Sequence, residues 1–139
     1  MNTTAKDRIT IILHSGGYDR VSYALSLAIV ALTTGSEVHM FLTYGGLKRF
    51  SRGHLEYIGE ETSGDVRDVV EHGLGSGGIK PLEQALDDAK RLGLRIYACP
   101  NSMANLNITR AELIPQVDLV MGLVTFMELA RSASINWYI

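Results

Sequence analysis

The feature that most constrains this chain is an alternation: short apolar runs rich in β-branched residues, each handed over by a glycine or proline to a segment with helical spacing. Arg8–His14 is such a run, nearly continuous in its apolar residues, and suits a strand covered on both faces. It stops at Ser15, Gly16 and Gly17. Val21, Ala24, Leu25, Ala28 and Leu32 then fall at helical spacing, with Asp19 as the expected N-cap and Gly35 placed to close the helix in the left-handed conformation. Glu37–Thr43 is a second strand, running into Tyr44, Gly45 and Gly46. Pro81 opens a helix striped by Leu82, Ala85, Leu86, Ala89 and Leu92, and Gly93 ends it. Leu94–Cys99 is a third strand, stopped by Pro100. A short helical piece over Asn101–Leu106 and a capping-box pattern at Thr109–Glu112 follow, the latter limited by Pro115. Val117–Met121 is a fourth strand. Thr125–Glu128 repeats the capping-box spacing before a helix to about Ser132, and Ile135–Ile139 is a fifth strand. Strands alternating with helices imply parallel pairing through right-handed crossovers, and hence a three-layer α/β/α fold on a five-stranded parallel sheet.

A length of 139 residues fits one domain spanning 1–139. The exception to its regularity is residues 51–80, which hold seven of the 14 glycines and no sustained periodicity. That stretch reads as a mobile excursion with one short helix near Asp65–Glu71, of the kind that serves as a lid or interface loop. An apolar share of 46% with 20% charged residues is that of a globular chain, and a net charge of −2 offers no general attraction to nucleic acid or anionic lipid. The longest strongly apolar stretch, Ala24–Leu32, falls well short of the ~20 residues of a membrane span. The N-terminal residues lack the pattern of a secretory signal, so the expected compartment is the cytoplasm.

In an open parallel sheet, ligands collect outside the carboxyl ends of the strands. That rule selects His14, Ser15, Gly16, Gly17 and Tyr18 after the first strand, Thr43 and Tyr44 after the second, Cys99, Asn101 and Ser102 after the third, and Gly122 and Thr125 after the fourth. Cys99 is the sole cysteine, which excludes an internal disulfide and a cysteine-rich metal cage. A thiol just ahead of a helix can receive that helix's N–H groups as a thiolate or persulfide anion; a free cysteine can equally be a small apolar filler. His14 is the one histidine placed to carry a proton or face an anion, whereas His39 reads as a structural histidine within its strand. The four histidines show no metal-ligand spacing, and neither metal nor cofactor is expected. Ser15, Gly16, Gly17, Tyr18 and Asp19 resemble the loop with which ATP pyrophosphatases hold pyrophosphate, although the serine usual after the aspartate is Arg20 here.

Several segments together resemble the DsrE/DsrF-like sulfur-relay proteins, in particular their peroxiredoxin-like branch. These are Ile9–Asp19, Glu37–Leu47, the Ala-Cys-x-x-Ser-Met element of Ala98–Met103, and Gly122–Phe126; residues 51–80 are unmatched. The resemblance implies a flavodoxin-like architecture and assembly into homotrimers or homohexamers. It also implies that Cys99 carries sulfur, as persulfide or thiosulfonate, and exchanges it with a small TusA-like carrier or a low-molecular-weight sulfur donor. The absence of a second cysteine excludes an intramolecular disulfide cycle and weakens a peroxidase reading. Position at the strand ends makes Asn101, Ser102, His14, Tyr44, Gly16 and Gly17 the expected substrate-binding residues beside Cys99. A non-catalytic binding module with an inert cysteine is the alternative of a different class.

Overall fold

The computed structural model describes residues 6–139; residues 1–5, part of the stretch read above against a secretory signal, lie outside the described residues. The strands are β1 (Arg8–Leu13), β2 (Glu37–Leu42), β3 (Arg95–Ala98), β4 (Leu119–Val120) and β5 (Ile135–Tyr138). The helices are α1 (Tyr18–Thr33), α2 (Tyr44–Arg49), α3 (Gly64–Ser76), α4 (Leu82–Arg91), α5 (Pro100–Leu106) and α6 (Leu123–Arg131). All five strands pair in parallel in the order β4-β3-β2-β1-β5, the three-layer arrangement expected from the alternation of elements. Among the described residues, no helix is long and apolar enough to cross a membrane.

Strand alternation divides the sheet into two unequal faces. Ile9, Ile11 and Leu13 of β1, Val38, Met40 and Leu42 of β2, and Ile96 and Ala98 of β3 all point into the main core against α1 and α4. These strands read as continuous apolar runs because the other face is also covered, though thinly. Ile12, Phe41 and Tyr97 meet a single helix, α6, through Phe126, whose ring lies 4.6 Å from that of Phe41 and 6.3 Å from that of Tyr97. Towards the amino ends of the strands this thin face turns polar. Arg8 donates to Glu37 at 3.2 Å, Glu37 pairs with His39 at 2.9 Å, and the other His39 nitrogen bonds the Tyr97 hydroxyl at 2.7 Å. His39 is thus a buried, satisfied histidine. Its hydrogen bond to Glu37, aided by Arg8, holds the Glu37 carboxyl below its ordinary range despite partial burial.

Gly35 closes the turn after α1 with φ +99°, as its position requires. Other boundaries differ from expectation for local reasons. Gly17, not Asp19, caps α1; Asp19 lies in the first turn, where its charge faces the positive helix end. Gly122, not Thr125, caps α6. The expected fourth strand shortens to two residues, and the turn after β2 is the start of α2, a helix that glycine content concealed. Gly46 is there because the helix passes directly over β1: a Cβ on Gly46 would lie 2.2 Å from the Leu13 carbonyl oxygen.

The excursion is the largest departure. Its helix α3 runs the full 13 residues Gly64–Ser76, and the segment before it is tied into the domain rather than standing free. Ser51 bridges to Leu113, and Leu55 and Ile58 pack on the main core. Glu56 caps α4 from a distance in sequence, accepting from the Leu82 N–H at 3.3 Å, the Glu83 N–H at 2.8 Å and the Tyr18 hydroxyl at 2.7 Å. Burial, with that carboxylate close by, pushes the Tyr18 phenol well above its usual range. An N-cap is worth about 1 kcal/mol and the hydroxyl bond adds a similar amount. Glu56→Ala should therefore cost about 2 kcal/mol in urea unfolding, while the exposed neighbour variant Glu60→Ala leaves the midpoint unchanged; equal midpoints for both variants would show that the remote cap does not hold α4.

Candidate functional site

Parallel register determines what meets at the carboxyl edge. Beyond the paired positions Leu13, Leu42, Ala98 and Val120, hydrogen bonds continue from Thr43 N–H to Leu13 O (3.0 Å), Cys99 N–H to Leu42 O (3.1 Å) and Met121 N–H to Ala98 O (3.0 Å). His14, Thr43, Cys99 and Met121 therefore form the next row, and alternation turns their side chains to the thin face. Strand spacing puts the Cα atoms of His14 and Cys99 about 10 Å apart, with Thr43 between them. The His14 Nδ1 lies 2.8 Å from the Thr43 hydroxyl. The exposed imidazole is sandwiched between Tyr44 at 5.6 Å, edge-on, and Tyr138 at 5.7 Å, stacked. Tyr44 adopts φ +37°, rare for a residue with a side chain, and its hydroxyl accepts from Asn105 Nδ2 at 3.1 Å.

Cys99 directly follows β3 and is the N-cap of α5. It also stands next to the point where the strand order turns back, from β4 at one edge to β5 at the other. The helix after β3 packs on the main core through Met103 and Leu106, whereas the helix after the adjacent β4 packs on the opposite face through Phe126. Neighbouring strands whose following helices leave to opposite sides open a crevice at their carboxyl ends. The thiol is not an open rim group, as its strand-end position suggested. It is 8% exposed and packs with Phe41, Tyr97 and Phe126, because alternation turns it under α6. Asn101 is exposed on α5, and Ser102 is 1% exposed with a hydroxyl that has no hydrogen-bond partner among the described residues. Ser102 occupies the third helical position, whose side chain faces back toward the N-cap residue.

Gly16 and Gly17 do not join this group. They belong to a different constellation built on Arg49, a side chain 2% exposed. The Arg49 guanidinium donates to Gly16 O (3.0 and 2.6 Å), His54 O (2.9 Å), Leu55 O (3.2 Å), Tyr57 O and the Glu61 carboxylate (2.7 Å). Two of the amides that could have cradled a phosphate are occupied by the chain itself. Gly17 N–H donates to the Ser15 hydroxyl and Tyr18 N–H to that of Thr62, with Glu61 alongside. The phosphate-loop resemblance is therefore met by the excursion folding into the loop. Sequence reasoning passed over Arg49; the one signal available was a cation set between the apolar Leu47 and Phe50.

A model of the DsrE/DsrF-like family matches residues 7–136. The chain belongs to this family. Over 99% of both chains it is 24% identical to YrkE of Bacillus subtilis (strain 168), a protein described as uncharacterized. Two solved structures share the fold. The ychN protein from E. coli superposes with a TM-score of 0.69 at 17% identity, covering 96% of this chain and 99% of the other. MTH1491 from Methanobacterium thermoautotrophicum, a protein of unknown function, gives 0.60 at 17% identity, covering 96% and 98%. In this DsrE/DsrF-like chain the segments that carry the resemblance, including Ala98–Met103, lie inside the matched range, and so does the excursion.

The Arg49 constellation has a pH signature. Burial pushes the Glu61 carboxyl up, but hydrogen bonds from Gly59 N–H, its own N–H and Arg49 outweigh burial and hold it below the ordinary range. A carboxyl depressed on folding contributes stability that is complete above its unfolded value, near 4.3, and is lost as the pH falls through the folded one. Melting temperatures of wild type and Glu61→Gln should accordingly keep their separation from neutral pH down to the ordinary carboxyl value, about 4.3, and converge only as the pH falls further; a separation that narrows already above that value, or no separation at neutral pH, would contradict the ion pair's role.

Proposed function

We propose that this member of a sulfur-relay-related family is a sulfur carrier, or sulfurtransferase, in which Cys99 accepts a sulfane sulfur and passes it to an acceptor thiol. The observation that carries the reading is the position of the chain's one cysteine: just past the carboxyl end of β3, at the N-cap of α5, beside the point where the strand order turns back from β4 to β5. The exchange needs no cofactor. The Cys99 thiolate attacks the outer sulfur of a donor persulfide or polysulfide, forming Cys99–S–SH with a proton from solvent, while the donor leaves as a thiolate. An acceptor thiolate then attacks that outer sulfur and regenerates Cys99.

The supporting groups follow from placement. The resting thiol makes no side-chain hydrogen bond to the first turn of α5, and on this reading the buried, unpartnered Ser102 hydroxyl, with Asn101 beside it, supplies the donors recruited when charge forms on sulfur. His14 and Tyr44, at the mouth of the same face, present polar groups to an incoming anion. With Cys99 only 8% exposed, access favours slim donors such as a polysulfide anion over bulky disulfides. Homo-oligomerisation, as trimer or hexamer, and docking of a TusA-like carrier belong to the same proposal. They draw support from the apolar residues that α6 leaves in solvent, Leu123, Val124 and Met127. A cytoplasmic setting, where thiols stay reduced, suits the chemistry.

Burial among aromatic rings favours the second reading, a binding module in which Cys99 only packs. Intact-mass spectrometry after incubation with polysulfide separates the two. A carrier gains the mass of one or more sulfur atoms, loses it to a reductant, and shows no gain as Cys99→Ser. An unmodified wild-type chain would establish the inert cysteine.

A further inference from the structure

The Arg49 constellation forms the floor of a cleft of about 380 Å³, within the range of ~300–1,000 Å³ typical of small-molecule pockets. Gly16 and Gly45 contribute one wall, and Gly53, His54 and Tyr57 of the excursion the other. It is separate from the Cys99 row. None of the row residues His14, Thr43, Cys99 and Met121 is among those that line it, and Gly16 and Gly45 cross so tightly in its wall that a Cβ on Gly16 would lie 2.7 Å from the Gly45 carbonyl oxygen.

Three observations define what the cleft can hold. Its walls are prebuilt, because one guanidinium bonds Gly16 O on one side and the carbonyls of His54, Leu55 and Tyr57 on the other. Little ordering would then be needed on binding. Its charge is that of one free cation. Arg49 is answered by Glu61, whereas Lys48 lines the cleft, is exposed and has no carboxylate partner among the described residues. Its wall offers a flat apolar surface: the Tyr57 ring is 60% exposed and held in place across Gly59, where an added Cβ would come within 2.3 Å of it. A phosphate ester is a poor match, since the neighbouring Gly17 and Tyr18 amides are already bonded within the chain and a single lysine answers only one negative charge.

We propose that this cleft binds a small organic monoanion, with its charged head on Lys48 and its apolar body against Tyr57. Benzoate is a suitable probe and benzamide its neutral control, each titrated into the reduced, isotopically labelled full chain and followed through the amide resonances of Gly16, Gly45 and Gly53. Benzoate should shift these signals saturably. Benzamide, and benzoate with Lys48→Gln, should bind about tenfold more weakly, the loss expected for one charge-assisted contact. Tyr57→Ala should weaken benzoate as well. Both positions are exposed, so the remaining resonances of each variant should stay in place and report an intact fold. Absence of a saturable shift, equal binding of benzamide, or unchanged affinity in Lys48→Gln would each overturn the proposal.

Discussion

The in-register parallel pairing of β1, β2 and β3 is the constraint on which the rest of this structure depends. Side chains alternate along a strand, so a slip of one residue would exchange the two faces of the sheet. Such a slip would move Leu13, Leu42 and Ala98 out of the main core and bring His14, Thr43 and Cys99 into it. The cost would be several kcal/mol of lost apolar burial, since each large aliphatic side chain contributes roughly 2 kcal/mol. Register therefore holds the cysteine on the thin face under α6. Connectivity adds the second condition: the step back from β4 to β5 sends α6 to the other face of the sheet, where Phe126 packs with the same residue.

Away from that row, one buried cation organises the excursion. A guanidinium removed from water is tolerated only when its donors are filled, and Arg49 fills them with backbone carbonyls and one carboxylate. Those carbonyls come from both sides of the cleft, so a polar requirement within the core becomes a fixed shape on the surface. Glu56 does comparable work for α4 and Tyr18. The excursion is consequently part of the domain's framework.

The fold was legible because it rests on signals local to each element. The β-branched runs of β1 and β2, the apolar stripe of α4 and the breaks at Gly35, Gly93 and Pro100 each announce themselves within a few residues. What stayed hidden depends on contacts remote in sequence. Nothing near Glu56 reveals that it caps a helix 26 residues away, and nothing around Arg49 reveals which carbonyls it gathers. Gly45 and Gly46 read as a turn although they permit a close crossing from which α2 grows. At the candidate site, parity alone could have placed Cys99 with Phe41 and Tyr97. Its covering by Phe126 required knowing that α6 crosses to the other face.

The central claim is that sulfur bound at Cys99 is both held and exchangeable in the folded chain. Cyanolysis measures this directly, because cyanide removes a sulfane sulfur as thiocyanate and returns the thiol. Native chain loaded with polysulfide and freed of excess reagent should release about one equivalent of thiocyanate per Cys99 and become loadable again. Release no greater than that from the Cys99→Ser variant treated in the same way would contradict the account.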